Sequence, residues 1–133
     1  MKMDNFIIEA RFRNLIQARL LELGWMTYNP SADVGGVDWI MINLETSELK
    51  KIQQKGRITI DKKYLNKEIW IATIIQNQVF IFPHDYILET ESGKKAKLTT
   101  SWEKGHYNWP KPPKSLLNDL QQYSYGVISS IKC

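Results

Sequence analysis

The chain has 133 residues, a formal net charge of +4 and hydrophobic residues at 43% of its positions. This length suits one domain over residues 1–133, with a core up to about residue 90 and a basic, aromatic segment over 91–133, and it excludes a separate second domain. The single cysteine, Cys133, excludes an intrachain disulfide and favours a reducing, cytoplasmic compartment. No apolar run approaches the roughly 20 residues that cross a bilayer, so we expect no membrane partner.

The first predicted element is an amphipathic helix that follows Asp4 and ends before Gly24. Asp4 would accept from the free N–H groups at its start, and Gly24 would permit a left-handed stop. At about 100° per residue one stripe of the helix is apolar, formed by Ile8, Phe12, Leu15, Ile16, Leu20 and Leu23. Glu9 falls within this stripe and needs a partner there, because burying an unpaired charge is costly. Either Arg13 or Arg19 supplies that partner, or Glu9 faces a functional site.

The stretch from Gly35 to Lys55 predicts two short strands joined by a polar turn. Alternate residues of a strand share a face, so Gln53 and Lys55 project together. Pairing of the two strands would bring Asp38 within reach of both side chains. The loop before them is rich in turn formers, and Asp33 in it is either a further ligand or a solvated residue.

A carboxylate, an amide oxygen and an ammonium group in one small volume suit metal-assisted cleavage of a phosphodiester. Mg²⁺ or Mn²⁺ prefers oxygen ligands, which Asp38, the Gln53 side chain and the backbone carbonyl of Gln54 could provide. With a single carboxylate, we expect such binding to be weak. Lys55 would orient the attacking water or offset charge on the phosphate. The same spacing also fits charged residues on a solvated strand face.

Three further strands are predicted from apolar patterns. One covers 25–28, and the other two, 68–75 and 79–82, form an antiparallel pair around a polar turn. The strand count then reaches five. His84 follows the last strand and is a candidate general base, although a lone histidine at such a place is more often structural.

The last third of the sequence is polar and rich in aromatic residues. Residues 89–101 predict a loop with one short strand, and the Pro-rich run 102–114 predicts no helix. Apolar residues at helical spacing over 115–123 predict a short closing helix. Three aromatic residues are candidates for stacking on bases or for simple surface packing: Trp102, Tyr107 and Trp109.

Positive charge is segregated along the chain. Residues 50–63 contain six basic residues and one acidic residue. Residues 94–114 also contain six basic residues and one acidic residue. Such segments attract a phosphate backbone without reading sequence, which makes Arg57, Lys62 and Lys63 candidate nucleic-acid contacts. Two ordinary solvated lysine-rich loops are the alternative.

The sequence GGVDW, followed by an apolar run and then IQQKGR, resembles the core of the PD-(D/E)xK nuclease superfamily. The resemblance covers about the first two-thirds of the chain and is greatest to branches with Gln in place of the second acid, such as Mrr-type endonucleases and Holliday-junction resolvases. It implies metal binding at Asp38 assisted by Gln53, a catalytic role for Lys55, and Glu9 facing the site from the first helix. The neutral Gln53 leaves the site one negative charge short of the superfamily pattern.

These patterns and the resemblance predict an α/β fold with a restriction-endonuclease-like core, in which helices flank a mixed sheet of about five strands. The function that the resemblance implies is a DNA endonuclease that depends on Mg²⁺ or Mn²⁺. One alternative is a catalytically inactive nuclease fold that binds nucleic acid or a protein partner. Another is a subunit that becomes active as a homodimer, since one small domain has little surface for wrapping a duplex.

Overall fold

A six-stranded sheet with a helix on one face forms the centre of the molecule. The computed structural model describes residues 4–32 and 35–128, so Asp33 and Cys133 lie outside the described residues. The sheet order is β1-β2-β3-β5-β6-β8, and β4 and β7 form a separate two-stranded sheet. The strands are β1 (Trp25–Tyr28), β2 (Trp39–Asn43), β3 (Leu49–Gln54), β4 (Ile58–Asp61), β5 (Ile69–Ile75), β6 (Gln78–Pro83), β7 (His106–Trp109) and β8 (Ser124–Val127).

Four α-helices and three 3-10 turns complete the described chain. The helices are α1 (Asn5–Glu22), α2 (Glu91–Ala96), α3 (Thr100–Glu103) and α4 (Lys114–Leu120). The 3-10 turns are Lys62–Tyr64, His84–Glu89 and Gln121–Tyr123. The α/β class and the mixed sheet are therefore confirmed, with more strands than the five predicted. Within the described ranges, no helix is both long and apolar enough to cross a membrane.

The predicted boundaries of α1 are confirmed, and its predicted stripe is confirmed only in the middle. The Asp4 side chain accepts a hydrogen bond from the backbone N–H of Phe6 at 3.1 Å, and Gly24 has a φ of +89°. Ile16 and Leu20 are fully buried against the sheet, whereas Ile8 and Leu23 are exposed. The helix packs mainly on β1 and β5, and the middle of its apolar stripe contributes most to the core.

The strand pairing places the ends of β2 and β3 side by side. β2 runs antiparallel to β3 with Trp39 opposite Ile52, and β3 runs parallel to β5 with Gln53 opposite Ile71. Parallel neighbours need a long crossover, and here residues 55–68 form it and contain β4. The predicted hairpin of β5 and β6 is confirmed.

Two apolar cores lie on the two faces of the sheet. One packs α1 against β1, β2 and the inner strands, and contains Ile16, Leu20, Trp25, Trp39, Met41, Ile52, Ala72, Val79 and Ile81. The other packs β4, β7 and the short C-terminal helices against β5 and β6. This second core explains why a segment as polar as 91–120 is ordered.

The prediction of a loop and a short strand over 89–101 is wrong. Thr90 and Thr99 instead cap two short helices: their hydroxyls accept from the backbone N–H groups of Gly93 at 3.0 Å and Trp102 at 3.2 Å. Trp102 and Trp109 are only 8% and 7% exposed. Stacking of these two indoles on bases is therefore excluded, because their rings fill the second core.

Candidate active site

Asp38 lies at the point where β2 begins, with its carboxylate fixed by the neighbouring strand. Its backbone N–H donates to the carbonyl of Ile52 at 2.8 Å, and its Oδ2 accepts from the backbone N–H of Gln54, also at 2.8 Å. The first bond ties the backbone of Asp38 to β3, and the second ties its carboxylate to the end of the same strand. They hold an exposed carboxylate in a defined place beside the end of β3.

An open cavity of about 490 Å³ lies next to Asp38. Asp38, Gln53 and Lys55 all line it, so the structure brings together the three groups that the sequence pattern singled out. The crossover from β3 to β5 supplies the opposite wall with Lys63, Tyr64 and Lys67. The volume lies within the range of small-ligand sites in proteins.

The Gln53 side chain carries an oxygen with no partner. Its Oε1 is buried and accepts no hydrogen bond from any described residue. A buried oxygen left unsatisfied costs about 1–3 kcal/mol, so a native structure retains one only with a reason. A hard cation would supply that partner, because amide and carboxylate oxygens are its preferred ligands. In the described part of the chain, no three His, Cys, Asp or Glu residues cluster in a way that could hold a metal, so Asp38 would be the main charged ligand.

Gln54 has a structural role as well as a place at the site. Its Nε2 donates to the backbone carbonyl of Glu9 at 2.9 Å, and its Oε1 accepts from the indole Nε1 of Trp39 at 3.2 Å. The side chain therefore joins α1 to β2 from its position on β3. This attachment fixes the first helix beside Asp38.

Glu9 is exposed and does not face the core, so the predicted need for an ion-pair partner was wrong. Across the described ranges, no ion pair joins it to Arg13 or Arg19, and Arg19 pairs instead with Glu22 at 3.4 Å. Glu9 borders a second small cavity of about 110 Å³, which is also lined by Asp38. The structure thus places Glu9 on the α1 side of Asp38, away from the lysine-lined cavity.

Tyr64 is a site residue that the sequence did not indicate. It is 4% exposed, and its ring lies 5.7 Å from the Nζ atom of Lys55 and 5.2 Å from that of Lys63. Burial raises the pKa of the Tyr64 phenol above its usual value, although the nearby Lys63 ammonium acts in the opposite direction. The phenol therefore stays protonated at neutral pH, and its ring is within cation–π distance of two ammonium groups.

Gly36 packs against the Tyr64 ring, which allows a matched test of the cavity wall. A Cβ at Gly36 would lie 2.8 Å from Cε1 of Tyr64, whereas a Cβ at Gly35 would meet nothing within 4 Å. Both residues have positive φ, so alanine is strained at either position. We expect Gly36→Ala to lower the free energy of unfolding by about 1–3 kcal/mol more than Gly35→Ala, in urea denaturation. Equal losses would mean that the Tyr64 ring moves aside freely.

His84 holds the crossover in place and is not arranged as a general base. It is 1% exposed, and its Nε2 accepts from the backbone N–H of Asp61 at 2.9 Å. The ring proton therefore lies on Nδ1, which donates to Asp85 Oδ1 at 2.8 Å. Asp85 Oδ2 in turn accepts from the backbone N–H of Asn66 at 3.0 Å. The pair His84 and Asp85 thus binds both ends of the segment that contains Lys63 and Tyr64.

The basic segment 50–63 does not form one charged surface. Lys50 is buried, with its Nζ 4.2 Å from the Trp70 ring centroid. Arg57 donates to Asn108 Oδ1 at 3.3 Å, and the Nζ of Lys62 lies 5.4 Å from the Trp102 ring. Lys55 and Lys63 line the cavity. Consecutive lysines in the sequence therefore serve different parts of the molecule.

No protein-family model matches this sequence, and no curated protein has a matching sequence. The fold is similar to a solved structure described as that of a bacterial homing endonuclease, I-Ssp6803I, with a TM-score of 0.55. The similarity covers 93% of this chain and 88% of that chain, at 14% sequence identity. The chain thus shares its fold with an endonuclease over nearly its whole length, and at this identity the likeness extends to the fold alone.

Proposed function

We propose that this protein is a PD-(D/E)xK-type endonuclease that hydrolyses DNA phosphodiesters with Mg²⁺ or Mn²⁺. The observation that carries the proposal is the unpartnered buried oxygen of Gln53 on the same cavity as Asp38 and Lys55. The endonuclease-like fold supports the reaction class. DNA as the substrate is inferred from the sequence resemblance and from the three lysines of the cavity.

The metal would be held by the Asp38 carboxylate, the Gln53 Oε1 and the backbone carbonyl of Gln54. When bound, such an ion supplies Lewis-acid polarisation of the phosphate and a more acidic water. Asp38 suits the role of the charged ligand because the backbone N–H of Gln54 already fixes its Oδ2. Glu9, across Asp38 on the α1 side, is proposed to assist from the smaller cavity.

Lys55 is proposed to act directly on the reacting phosphate. Its backbone N–H donates to the Ala72 carbonyl at 3.0 Å, and its Nζ lies 5.7 Å from the Tyr64 ring. During hydrolysis, the water oxygen bonds to phosphorus and gives up a proton to solvent, while the bond to the leaving sugar oxygen breaks and that oxygen takes up a proton from solvent. Negative charge builds on the phosphate oxygens meanwhile, and a fixed ammonium stabilises it.

An inactive nuclease fold that binds nucleic acid or a protein partner is the second candidate. The neutral Gln53 favours it, since a site with one firm carboxylate attracts a hard cation weakly. Dimerisation, which would enlarge the surface offered to a duplex, is compatible with either function. The two candidates differ in one measurable property, the metal-dependent cleavage of DNA.

Restoring the missing charge tests the metal site. We expect wild-type protein to bind Mn²⁺ with a Kd of about 1 mM, as weak oxygen-ligand sites do. Gln53→Glu should bind it about tenfold more tightly or better, because the second carboxylate adds attraction of about 1.4 kcal/mol or more. Calorimetric titration of both proteins measures this difference.

The matched control for that titration is Gln121→Glu. Gln121 lies in the last 3-10 turn, and its Oε1 accepts from Gln78 Nε2 at 3.2 Å, a bond that a carboxylate retains. This variant should bind Mn²⁺ as the wild type does. If Gln53→Glu and wild type both fail to bind Mn²⁺ or Mg²⁺, and Asp38→Asn changes nothing, there is no metal site here.

A further inference from the structure

We infer that the cavity binds two consecutive phosphates of one nucleic-acid strand. Lys55 faces the phosphate that is cleaved, and Lys63 and Lys67 together bind the neighbouring phosphate. This inference rests on the proposed function, because it takes the cleaved phosphate to lie at Asp38 and Lys55. It adds a binding subsite and a requirement on the substrate, namely a second phosphate next to the cleaved bond.

The charge of the cavity lining supports a second phosphate. Three lysines, Lys55, Lys63 and Lys67, line the cavity together with Asp38. Without a metal ion, the lining is therefore positive by two charges, and each phosphodiester carries one negative charge. A single phosphate at Lys55 would leave a net positive charge on the wall that carries Lys63 and Lys67, whereas two phosphates neutralise the side chains of the lining.

Lys63 is available to a ligand although it has an acidic neighbour. Its Nζ lies 3.8 Å from Asp61 Oδ2, and its side chain is 65% exposed. The Asp61 side chain is 19% exposed, but the ammonium end of the pair is in solvent and 3.8 Å is a long contact, so a phosphate can compete for the ammonium group. The Tyr64 ring centroid lies 5.2 Å from the same Nζ and adds a cation–π contact to the lysine.

The segment that carries Lys63 and Lys67 is fixed before any ligand arrives. His84 accepts from the backbone N–H of Asp61 at 2.9 Å, and Asp85 accepts from that of Asn66 at 3.0 Å. The Nζ of Lys51 donates to the carbonyl of Lys67 at 2.8 Å. A lysine pair on such a segment binds a phosphate with little ordering of the backbone, which favours affinity.

Lys62 provides a matched control within the same turn. It is adjacent to Lys63 and equally charged, but its Nζ lies 5.4 Å from the Trp102 ring and it does not line the cavity. A diffuse electrostatic attraction to DNA would involve both lysines equally. A phosphate subsite in the cavity would involve Lys63 and leave Lys62 without a contact.

Lysine acetylation of the full chain, followed by mass spectrometry, tests the subsite residue by residue. The probe is a 12-base-pair duplex with no divalent ion present, so that binding is observed without cleavage. We expect the duplex to slow acetylation of Lys55, Lys63 and Lys67 several-fold and to leave Lys62 unchanged. Inorganic pyrophosphate, which joins two phosphates without a base or sugar, should protect Lys63 and Lys67 in the same way.

The outcomes separate the subsite from the proposed function. Protection of Lys55 without Lys63 and Lys67 overturns the second phosphate and leaves the nuclease proposal standing. Equal protection of Lys62 and Lys63 overturns the subsite in favour of a diffuse basic surface. If the duplex protects no lysine, the DNA substrate is rejected, and the subsite then depends on the pyrophosphate result. If pyrophosphate also protects neither Lys63 nor Lys67, both the DNA substrate and the phosphate subsite are rejected.

Salt dependence of duplex binding gives a second measure. Each phosphate contact contributes a slope of about 0.9 to the plot of log K against log salt concentration. Because Lys63 and Lys67 share one phosphate, the double variant Lys63→Ala/Lys67→Ala should lose about one contact and not two. Lys62→Ala should keep the wild-type slope. An unchanged slope in the double variant would contradict the subsite.

Discussion

Lys55→Ala is expected to lower the rate of Mg²⁺-dependent DNA cleavage about 10²–10³-fold, the usual effect of removing one fixed electrostatic contact to a reacting group. The melting temperature should stay close to that of the wild type, since Lys55 follows the end of β3 and is only partly buried. DNA affinity should change by no more than a few-fold, because one phosphate contact is lost among several. Nicking of a supercoiled plasmid by both proteins measures the rates.

A second site variant and a control variant accompany this experiment. Asp38→Asn should lose cleavage as Lys55→Ala does, and Lys62→Ala should cleave at the wild-type rate because Lys62 lies over Trp102. Linear, branched and single-stranded substrates should each be tried with Mg²⁺ and with Mn²⁺. Wild-type cleavage that is no faster than that of Lys55→Ala on every substrate would replace the enzyme with the inactive binding fold.

Trp39→Ala is expected to lower the free energy of unfolding by about 3–5 kcal/mol, as for other large aromatic side chains removed from a core. Trp39 is fully buried in the core beneath α1 and lies one residue after Asp38. Its indole N–H also donates to Gln54 Oε1, so the variant loses a link between β2 and β3. Urea denaturation monitored by far-UV circular dichroism measures the loss.

Trp39→Phe separates the hydrogen bond from the packing. It keeps an aromatic ring in the core but removes the donor to Gln54. The free energy of unfolding should therefore fall clearly less than in Trp39→Ala. Leu98→Ala is the surface control, because Leu98 is 87% exposed and should change stability by less than about 0.5 kcal/mol. A loss of under about 1 kcal/mol for Trp39→Ala would mean that the core repacks to fill the space left by the indole.

Much of the sheet could be predicted from the sequence because strand patterns are local. Two short strands joined by a polar turn can pair as neighbours, and two-residue spacing alone puts Gln53 and Lys55 on one face. Asp38 then reaches them because it begins the neighbouring strand. The placement of Asp38, Gln53 and Lys55 thus depends on residues close in the sequence and on the pairing of β2 with β3.

The remaining wall of the cavity could not be predicted, since it depends on the path of the crossover. Nothing in the sequence near Tyr64 and Lys67 indicates that they face Gln53. That path is set by His84 and Asp85, which accept hydrogen bonds from residues 23 and 19 positions earlier in the chain. The opposite directions of Lys62 and Lys63 follow from the same path.

The short helices α2 and α3 were missed for a related reason. A helix of one or two turns has too few residues for a periodic apolar pattern, and it is not stable by itself. The threonines that cap these helices also occur at many other kinds of position, so they do not by themselves indicate a helix start. Only docking against the second core explains the order of these segments.

The parallel pairing of β3 with β5 also governs where the chain tolerates a change of length. The antiparallel strands β5 and β6 need only a tight turn at 76–77, and such a turn could be extended at little cost. Parallel strands cannot be joined so briefly, and here residues 55–68 form the obligatory connection and carry the cavity lysines as well. A deletion in this connection would disrupt the sheet and the lysine-lined wall of the cavity in one step, so the length of 55–68 is constrained by the sheet and by the cavity together.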